Sequence, residues 1–313
     1  MRLAFFGSDP FSVPSLQAVL AAGHEVTLVV TNPDRPRGRS GSPQPTPVRA
    51  AAEAAGIPVL APEGRPDEAC AAAMQAARVE LAVVVAYGQF LPKRVREAPE
   101  RGFAINVHAS LLPRWRGASP DAAAILAGDP TTGVTIQRLV AKMDAGPVLC
   151  RRETPIWAEE TRGALRERLG VLGAELLVEE ALPAIAGGTA QAVEQDEALV
   201  TWAPLLTKED GRLDLTRPAD ELARRVRACA PWPGAFLELP GGRLQVLQAT
   251  SAASGPGGAP PGCVLGSGEQ GLLVGCGQGT LVLREVKPDG KKAMSGAAWA
   301  NGRRLRAGEA LGG

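Results

Sequence analysis

Nowhere does the sequence hold an apolar run long enough to span a bilayer, which takes about 20 consecutive residues. Its start, Met-Arg-Leu-Ala-Phe-Phe-Gly, turns polar too soon for a signal peptide and reads as a first buried strand. The five cysteines (Cys70, Cys150, Cys229, Cys263 and Cys276) are odd in number and scattered, with no CxxC pair. That pattern argues against a disulfide framework and structural zinc, so free thiols in a reducing cytoplasm are expected. Aromatic residues make up 4% of the chain, too few for rows of rings stacking on single-stranded nucleic acid. With a net charge of +1, any RNA contact must come from local basic patches. The candidates are Arg35, Arg37 and Arg39 in one loop, Arg224, Arg225 and Arg227 on a helix, and Arg303, Arg304 and Arg306 near the end. The glycine spacing of dinucleotide sites and the Walker pattern are both missing, which disfavours NAD and ATP. Gly7-Ser8-Asp9-Pro10 stands where such a fingerprint would sit, and Ser8 is expected to start a loop beside a substrate cleft.

What is present is enough chain for two cores: 313 residues, 45% hydrophobic and 21% charged. Strands are expected at residues 3–6, 25–30, 58–60, 81–85, 103–107 and 134–139. Between them fall helices at 14–22, 48–55, 67–77 and 121–127, with Ser12 as cap and Gly23 as stop of the first. A long helical stretch follows at 161–186, interrupted in its pattern by Gly170 and Gly173. Such alternation predicts an open, mostly parallel sheet with helices on both faces, in a domain covering 1–187. Ligands of such sheets sit beyond the carboxyl ends of the strands. Gly187-Gly188 opens a linker, taken as 188–206. Beyond it, over 207–313, one helix at 219–228 precedes short glycine-punctuated strands, a texture that fits a small barrel.

Asn106-Val107-His108 closes one of the predicted strands, and the chain has only two histidines. In extended chain, positions i and i+2 point to one side, so the Asn106 amide and the His108 imidazole share a space. An amide donor beside an imidazole suits acyl transfer: one stabilises an oxyanion, the other carries protons near neutral pH. A histidine at a strand end also fits a purely structural, hydrogen-bonded role. Asp144, in Lys142-Met143-Asp144-Ala145-Gly146, fits a turn between two strands as well as a functional carboxylate. Trp115 and Arg116 are open between structure and function in the same way, and His24, at a helix-to-strand turn, is read as structural. Residues 35–41, among Pro33, Pro36, Pro43, Pro45 and Pro47, are expected to lack regular structure.

The wording around these residues narrows the choice. NVHASLLPRWRGASP at 106–120, VVVAYGQFLP at 83–92 and GVTIQRLVAKMDAG at 133–146 resemble the methionyl-tRNA formyltransferases, within the folate-dependent formyltransferase family. The likeness continues through TNPDRPRGR at 31–39, LVTWAPLLTKEDGRLD at 199–214, RACAPWPGAF at 227–236 and GKKAMS at 290–295. It implies a Rossmann-like α/β catalytic domain and a C-terminal OB-like β-barrel that binds tRNA. It implies formyl transfer from 10-formyltetrahydrofolate to methionyl initiator tRNA by a cytoplasmic monomer, without metal. The family's catalytic trio falls on Asn106, His108 and Asp144. Its folate loops fall on Tyr87, Gly88, Phe90 and Leu91, and on Ser110, Leu111, Leu112 and Pro113. Its key tRNA-contacting arginine falls on Arg39, with Arg35 and Arg37 beside it. Ser40-Gly41-Ser42-Pro43 replaces the lysines usual there, and Asp121-Ala122, Val140 and Lys142 are further departures. The alternative acceptors within the family are glycinamide ribonucleotide and nucleotide-linked amino sugars. Outside it, the competing reading is a catalytically silent RNA-binding protein.

Overall fold

The computed structural model describes residues 1–36, 41–252 and 259–311. Arg37 and Arg39 therefore lie outside the described residues. Contacts group the chain into two compact units. One holds Met1–Pro120, Thr131–Pro155 and Arg166–Ala203, and the other Asp121–Pro130, Ile156–Leu165 and Pro204–Gly313.

In the first unit the strands are β1 (Arg2–Gly7), β2 (Glu25–Val30), β3 (Arg35–Pro36), β4 (Pro43–Gln44), β5 (Val59–Leu60), β6 (Leu81–Val85), β7 (Ala104–His108), β8 (Arg116–Gly117), β9 (Thr131–Arg138), β10 (Val148–Pro155) and β11 (Trp202–Ala203). Seven of them form one sheet in the order β10-β9-β7-β6-β1-β2-β5. From β5 to β7 the ladders are parallel, and β9 and β10 close that edge antiparallel. Every residue of β6, Leu-Ala-Val-Val-Val, is buried, as a central parallel strand covered on both faces requires.

Several local expectations change. Ser12 does not cap the helix Val13–Ala21: a 3₁₀ turn, Pro10–Ser12, precedes it and leaves Ser12 itself helical. Its Oγ instead donates to Val85 O at 2.6 Å, tying the helix start to the end of β6. Asp9 caps the 3₁₀ turn by accepting from Phe11 N at 2.9 Å. The predicted long helix runs as Arg162–Leu176, a π turn at Leu177–Ala181, and Leu182–Ala186. Gly173 within it has a packing reason: a Cβ there would lie 2.8 Å from Val107 Cγ1. The missing side chain lets the helix backbone approach β7 from behind. The stretch at 35–41 is not wholly irregular, because Arg35 and Pro36 pair antiparallel with Gln44 and Pro43. Prolines are compatible with so short a ladder outside the main sheet.

Residues 188–203 are tied into the same unit. Val193 bridges Val148, Glu197–Leu199 forms a 3₁₀ turn, and β11 pairs parallel with β8.

The second unit adds β12 (Ala235–Leu239), β13 (Gly242–Ala252), β14 (Val264–Gly268), β15 (Gly271–Gly275), β16 (Thr280–Pro288) and β17 (Met294–Ser295). They form an antiparallel sheet ordered β12-β13-β16-β15-β14, with β17 on β16. The helix Ala219–Ala228 sets Leu222 and Val226 into a core with Leu244, Val246, Leu272 and Leu283. A helix that the sequence pattern did not announce, Gly296–Arg303, adds Trp299 to that core. Ser295 caps it by accepting from Ala298 N at 3.1 Å.

Candidate active site

Ile105 and Val107 of β7 are buried, and Val107 faces the helix that carries Gly173. Strand alternation therefore turns Asn106 and His108 to the opposite side. On the neighbouring strand β9, Gln137 pairs with Asn106 and Thr135 with His108, so these side chains share that face. Thr135 is buried and orders the segment after β7. Its hydroxyl donates to Ser110 O at 2.7 Å and accepts from Leu112 N at 3.0 Å. Asn106 is half-buried, and its side-chain amide has no hydrogen-bond partner among the described residues.

His108 is 7% exposed, and its Nε2 lies 2.9 Å from Trp115 O. A carbonyl only accepts, so Nε2 carries a proton and Nδ1 is the nitrogen left for acid–base work. Nδ1 faces Asp144 Oδ1 at 3.7 Å. Asp144 Oδ2 accepts from Gly117 N at 2.9 Å, and Oδ1 accepts from Gln137 Nε2 at 3.2 Å. Asp144 adopts a φ of +50°, which aspartate tolerates better than most residues. Gly146 follows because a side chain there would run into Arg138 O. The turn thus aims the carboxylate at the imidazole.

Arg116, left open by the sequence, is fully buried. Its Nε donates to Gln195 Oε1 and its Nη2 to Glu197 Oε1, both at 2.9 Å. Lys142 Nζ reaches the other Glu197 oxygen at 2.6 Å. The hydrogen bond from Arg116, then that from Lys142, pushes the Glu197 carboxyl down to about 2. Gln137, Gln195 and Glu197 were not singled out from sequence. Gln195 and Glu197 sit in a polar stretch without periodicity, and their partners lie 49–81 positions away.

The loop residues divide by burial. Tyr87, Leu91, Ser110 and Leu112 turn their side chains into the protein, Tyr87 edge-on against Phe6 with ring centroids 5.5 Å apart. The side chains of these four are buried, whereas Phe90 is 47% exposed and Gly88, Leu111 and Pro113 are not fully buried. Gly88 has a φ of +79°. A cleft of about 620 Å³, lined by Ser8, Asn32, Arg35, Thr46, Gly88 and Gln89, opens past the ends of β1, β2 and β6. Ser8 Oγ accepts from Asn32 N at 3.0 Å, and Asn32 Nδ2 donates to Tyr87 O at 3.0 Å, which ties three strand ends together.

Comparison with known proteins agrees with this architecture. Residues 1–181 match the formyl transferase family, and residues 205–304 match the formyl transferase C-terminal domain. A protein named methionyl-tRNA formyltransferase from Thiobacillus denitrificans is 44% identical over 312 residues, covering 100% of both chains. One of the same name from Thermus thermophilus is 43% identical, covering 100% of this chain and 99% of its own. Among solved structures, HypX from Aquifex aeolicus in complex with tetrahydrofolic acid superposes with a TM-score of 0.63 at 19% identity. That match covers 96% of this chain and 47% of HypX, so the chain spans about half of that protein. An N-formyltransferase from Helicobacter canadensis, in complex with folinic acid and dTDP-3-aminofucose, gives a TM-score of 0.65 at 15% identity, covering 89% of this chain and 97% of its own. At such identities these two structures speak to the fold alone. The full-length likeness at 43–44% identity goes further: the chain belongs to the methionyl-tRNA formyltransferase family.

Proposed function

We propose that the chain transfers the formyl group of 10-formyltetrahydrofolate to the α-amine of methionine esterified to initiator tRNA. The observation that carries this reading is the placement of Asn106 and His108 on one face of β7, with Asp144 3.7 Å from His108 Nδ1. The relatives' shared name supplies the acceptor. In this mechanism the amine attacks the formyl carbon, forming the new C–N bond and a tetrahedral intermediate. Asn106, its amide unengaged among the described residues, donates to the oxyanion, and His108, protonated at Nδ1 as well as Nε2, adds a second, charge-assisted donor. Asp144 orients His108 and, through a water, helps move the proton from the attacking amine to the folate nitrogen, whose bond to carbon then breaks. The products are N-formylmethionyl-tRNA and tetrahydrofolate, and no step calls for a metal.

The folate is assigned to the loops at 87–91 and 110–113. Backbone groups of Tyr87, Leu91, Ser110 and Leu112 would read the ring edge beside Gly88, Phe90, Leu111 and Pro113. Arg39, with Arg35 and Arg37, is assigned to the acceptor end of the tRNA, where guanidinium groups suit phosphate. Residues 207–313 are assigned as a tRNA-binding domain joined to the catalytic domain through 188–206, in a cytoplasmic monomer. Purified protein offered 10-formyltetrahydrofolate and a panel of acceptors tests the reading. Formylation of charged initiator tRNA, and not of uncharged tRNA, is expected. Preference for glycinamide ribonucleotide or a nucleotide-linked amino sugar would refute it.

A further inference from the structure

Every residue from 191 to 199 is exposed except one, Gln195. Its amide is used at both ends. Oε1 accepts from the buried Arg116 Nε at 2.9 Å. Nε2 faces Gly146 O at 2.7 Å, Asp144 O at 2.8 Å and Gln137 Oε1 at 3.2 Å. A guanidinium only donates, so this orientation is fixed and a flipped amide would oppose donor to donor. Gln137 is fixed in turn. Its Oε1 accepts from Gly146 N at 3.1 Å and from Gln195, which leaves its Nε2 to donate to Asp144 Oδ1 at 3.2 Å. Two amides in series therefore run from Arg116 to the oxygen that faces His108.

From this geometry we infer that Gln195 is a positioning residue for Asp144, acting on both the backbone and the carboxylate. The inference rests on the formyl-transfer reading for its kinetic test, but not for its geometry. Asp144 holds a left-handed φ of +50°, a conformation that persists only where its surroundings enforce it. Gln195 grips the carbonyl of Asp144 and that of Gly146, two residues on, so it clamps the turn from both ends. Without Gln195, only the Gly146 N–H holds the Gln137 amide in this orientation, and a rotated amide would present Oε1 to the Asp144 carboxylate and repel it from the His108 side. Arg116 anchors the assembly, since its own N–H donates to Thr201 O at 2.9 Å beside the β8–β11 pairing.

The test uses the full-length protein with Gln195→Leu and Gln195→Glu, each alone and combined with Asp144→Asn. Gln195→Glu keeps the acceptor for Arg116 and loses the donors, so it carries the test even where Gln195→Leu folds poorly. Both changes are expected to lower kcat for formyl transfer about 100-fold, the scale of a displacement near 1 Å, with KM for both substrates within threefold. In the Asp144→Asn background neither should lower kcat further, because the pathway already ends there. A kcat within threefold of wild type, or a loss that multiplies with that of Asp144→Asn, overturns the inference. The ring resonances of His108, one of only two histidines, give a readout independent of turnover. They should move on replacing Gln195 and stay put in the Asp144→Asn background. Unmoved resonances in the single variants overturn the inference even if wild-type protein proves to formylate nothing, a result that would refute only the functional reading.

Discussion

His108 Nδ1 and Asp144 Oδ1 stand 3.7 Å apart, beyond hydrogen-bond reach, while each side chain is held firmly from elsewhere. Trp115 O fixes the imidazole, and Gly117 N with Gln137 fixes the carboxylate. The pair is thus set at a spacing that attracts once Nδ1 takes up a proton, without locking the two groups together, and catalytic hydrogen bonds commonly tighten only once substrate is bound.

Asp144 shapes the turn and is the carboxylate we propose for the chemistry, and two substitutions separate these roles. Asn tolerates a left-handed φ and keeps an oxygen for Gly117 N, so Asp144→Asn should retain stability within about 1 kcal/mol. Its kcat should fall roughly 10²–10⁴-fold, the usual contribution of a positioned acid–base group. Asp144→Ala should lose activity and also about 1–2 kcal/mol of stability, because alanine resists that backbone conformation. Thermal unfolding alongside kcat distinguishes them.

Gly173 should reject even a methyl group. In a helix interior alanine is favoured over glycine by about 1 kcal/mol. Here the added Cβ would sit 2.8 Å from Val107 Cγ1 and 3.3 Å from Val134 Cγ1. Overpacking of this kind costs about 1–3 kcal/mol. Gly173→Ala should therefore be destabilising on balance, read as a lower urea midpoint, and should lower kcat by shifting β7.

Glu197 gives a pH signature. Its carboxyl is depressed to about 2 from an ordinary 4.5, first by Arg116 and then by Lys142. A depressed folded-state value adds stability that is complete above the unfolded value and lost as pH falls toward the folded one. The stability gap between wild type and Glu197→Gln should be full at pH 6 and shrink between about pH 4.5 and 2. A gap unchanged over that window would mean that the ion pairs with Arg116 and Lys142 contribute nothing. Exposure of Glu197 keeps the effect small.

Arg39 is expected to act through its guanidinium. Arg39→Ala should impair use of charged tRNA while sparing folate binding, and Arg39→Lys should fail to restore the rate even at low salt. Full rescue by lysine would leave it a charge only. Arg35, which lines the cleft past β1 and β2, should share part of the loss.

The frame of the site was legible because burial writes itself into sequence. The apolar runs at 3–6 and 81–85 could only be central strands, and i, i+2 spacing placed Asn106 with His108. The support of the site was not legible. Arginine is almost never fully buried, so nothing marked Arg116 as an anchor. Gln195 lies in a stretch whose composition reads as linker, and its role exists only through contacts 49–79 positions away. The β3–β4 ladder hid behind prolines, and the helix Gly296–Arg303 begins and nearly ends with glycine, which mutes its pattern.

The most direct test of the site is the single-turnover rate of formyl transfer by Asn106→Ala at saturating folate and charged initiator tRNA. Removal of one preorganised oxyanion donor predicts a rate lower by about 10²–10³-fold, with folate affinity and thermal stability close to wild type. A rate above half that of wild type would contradict the assignment of Asn106 to the oxyanion.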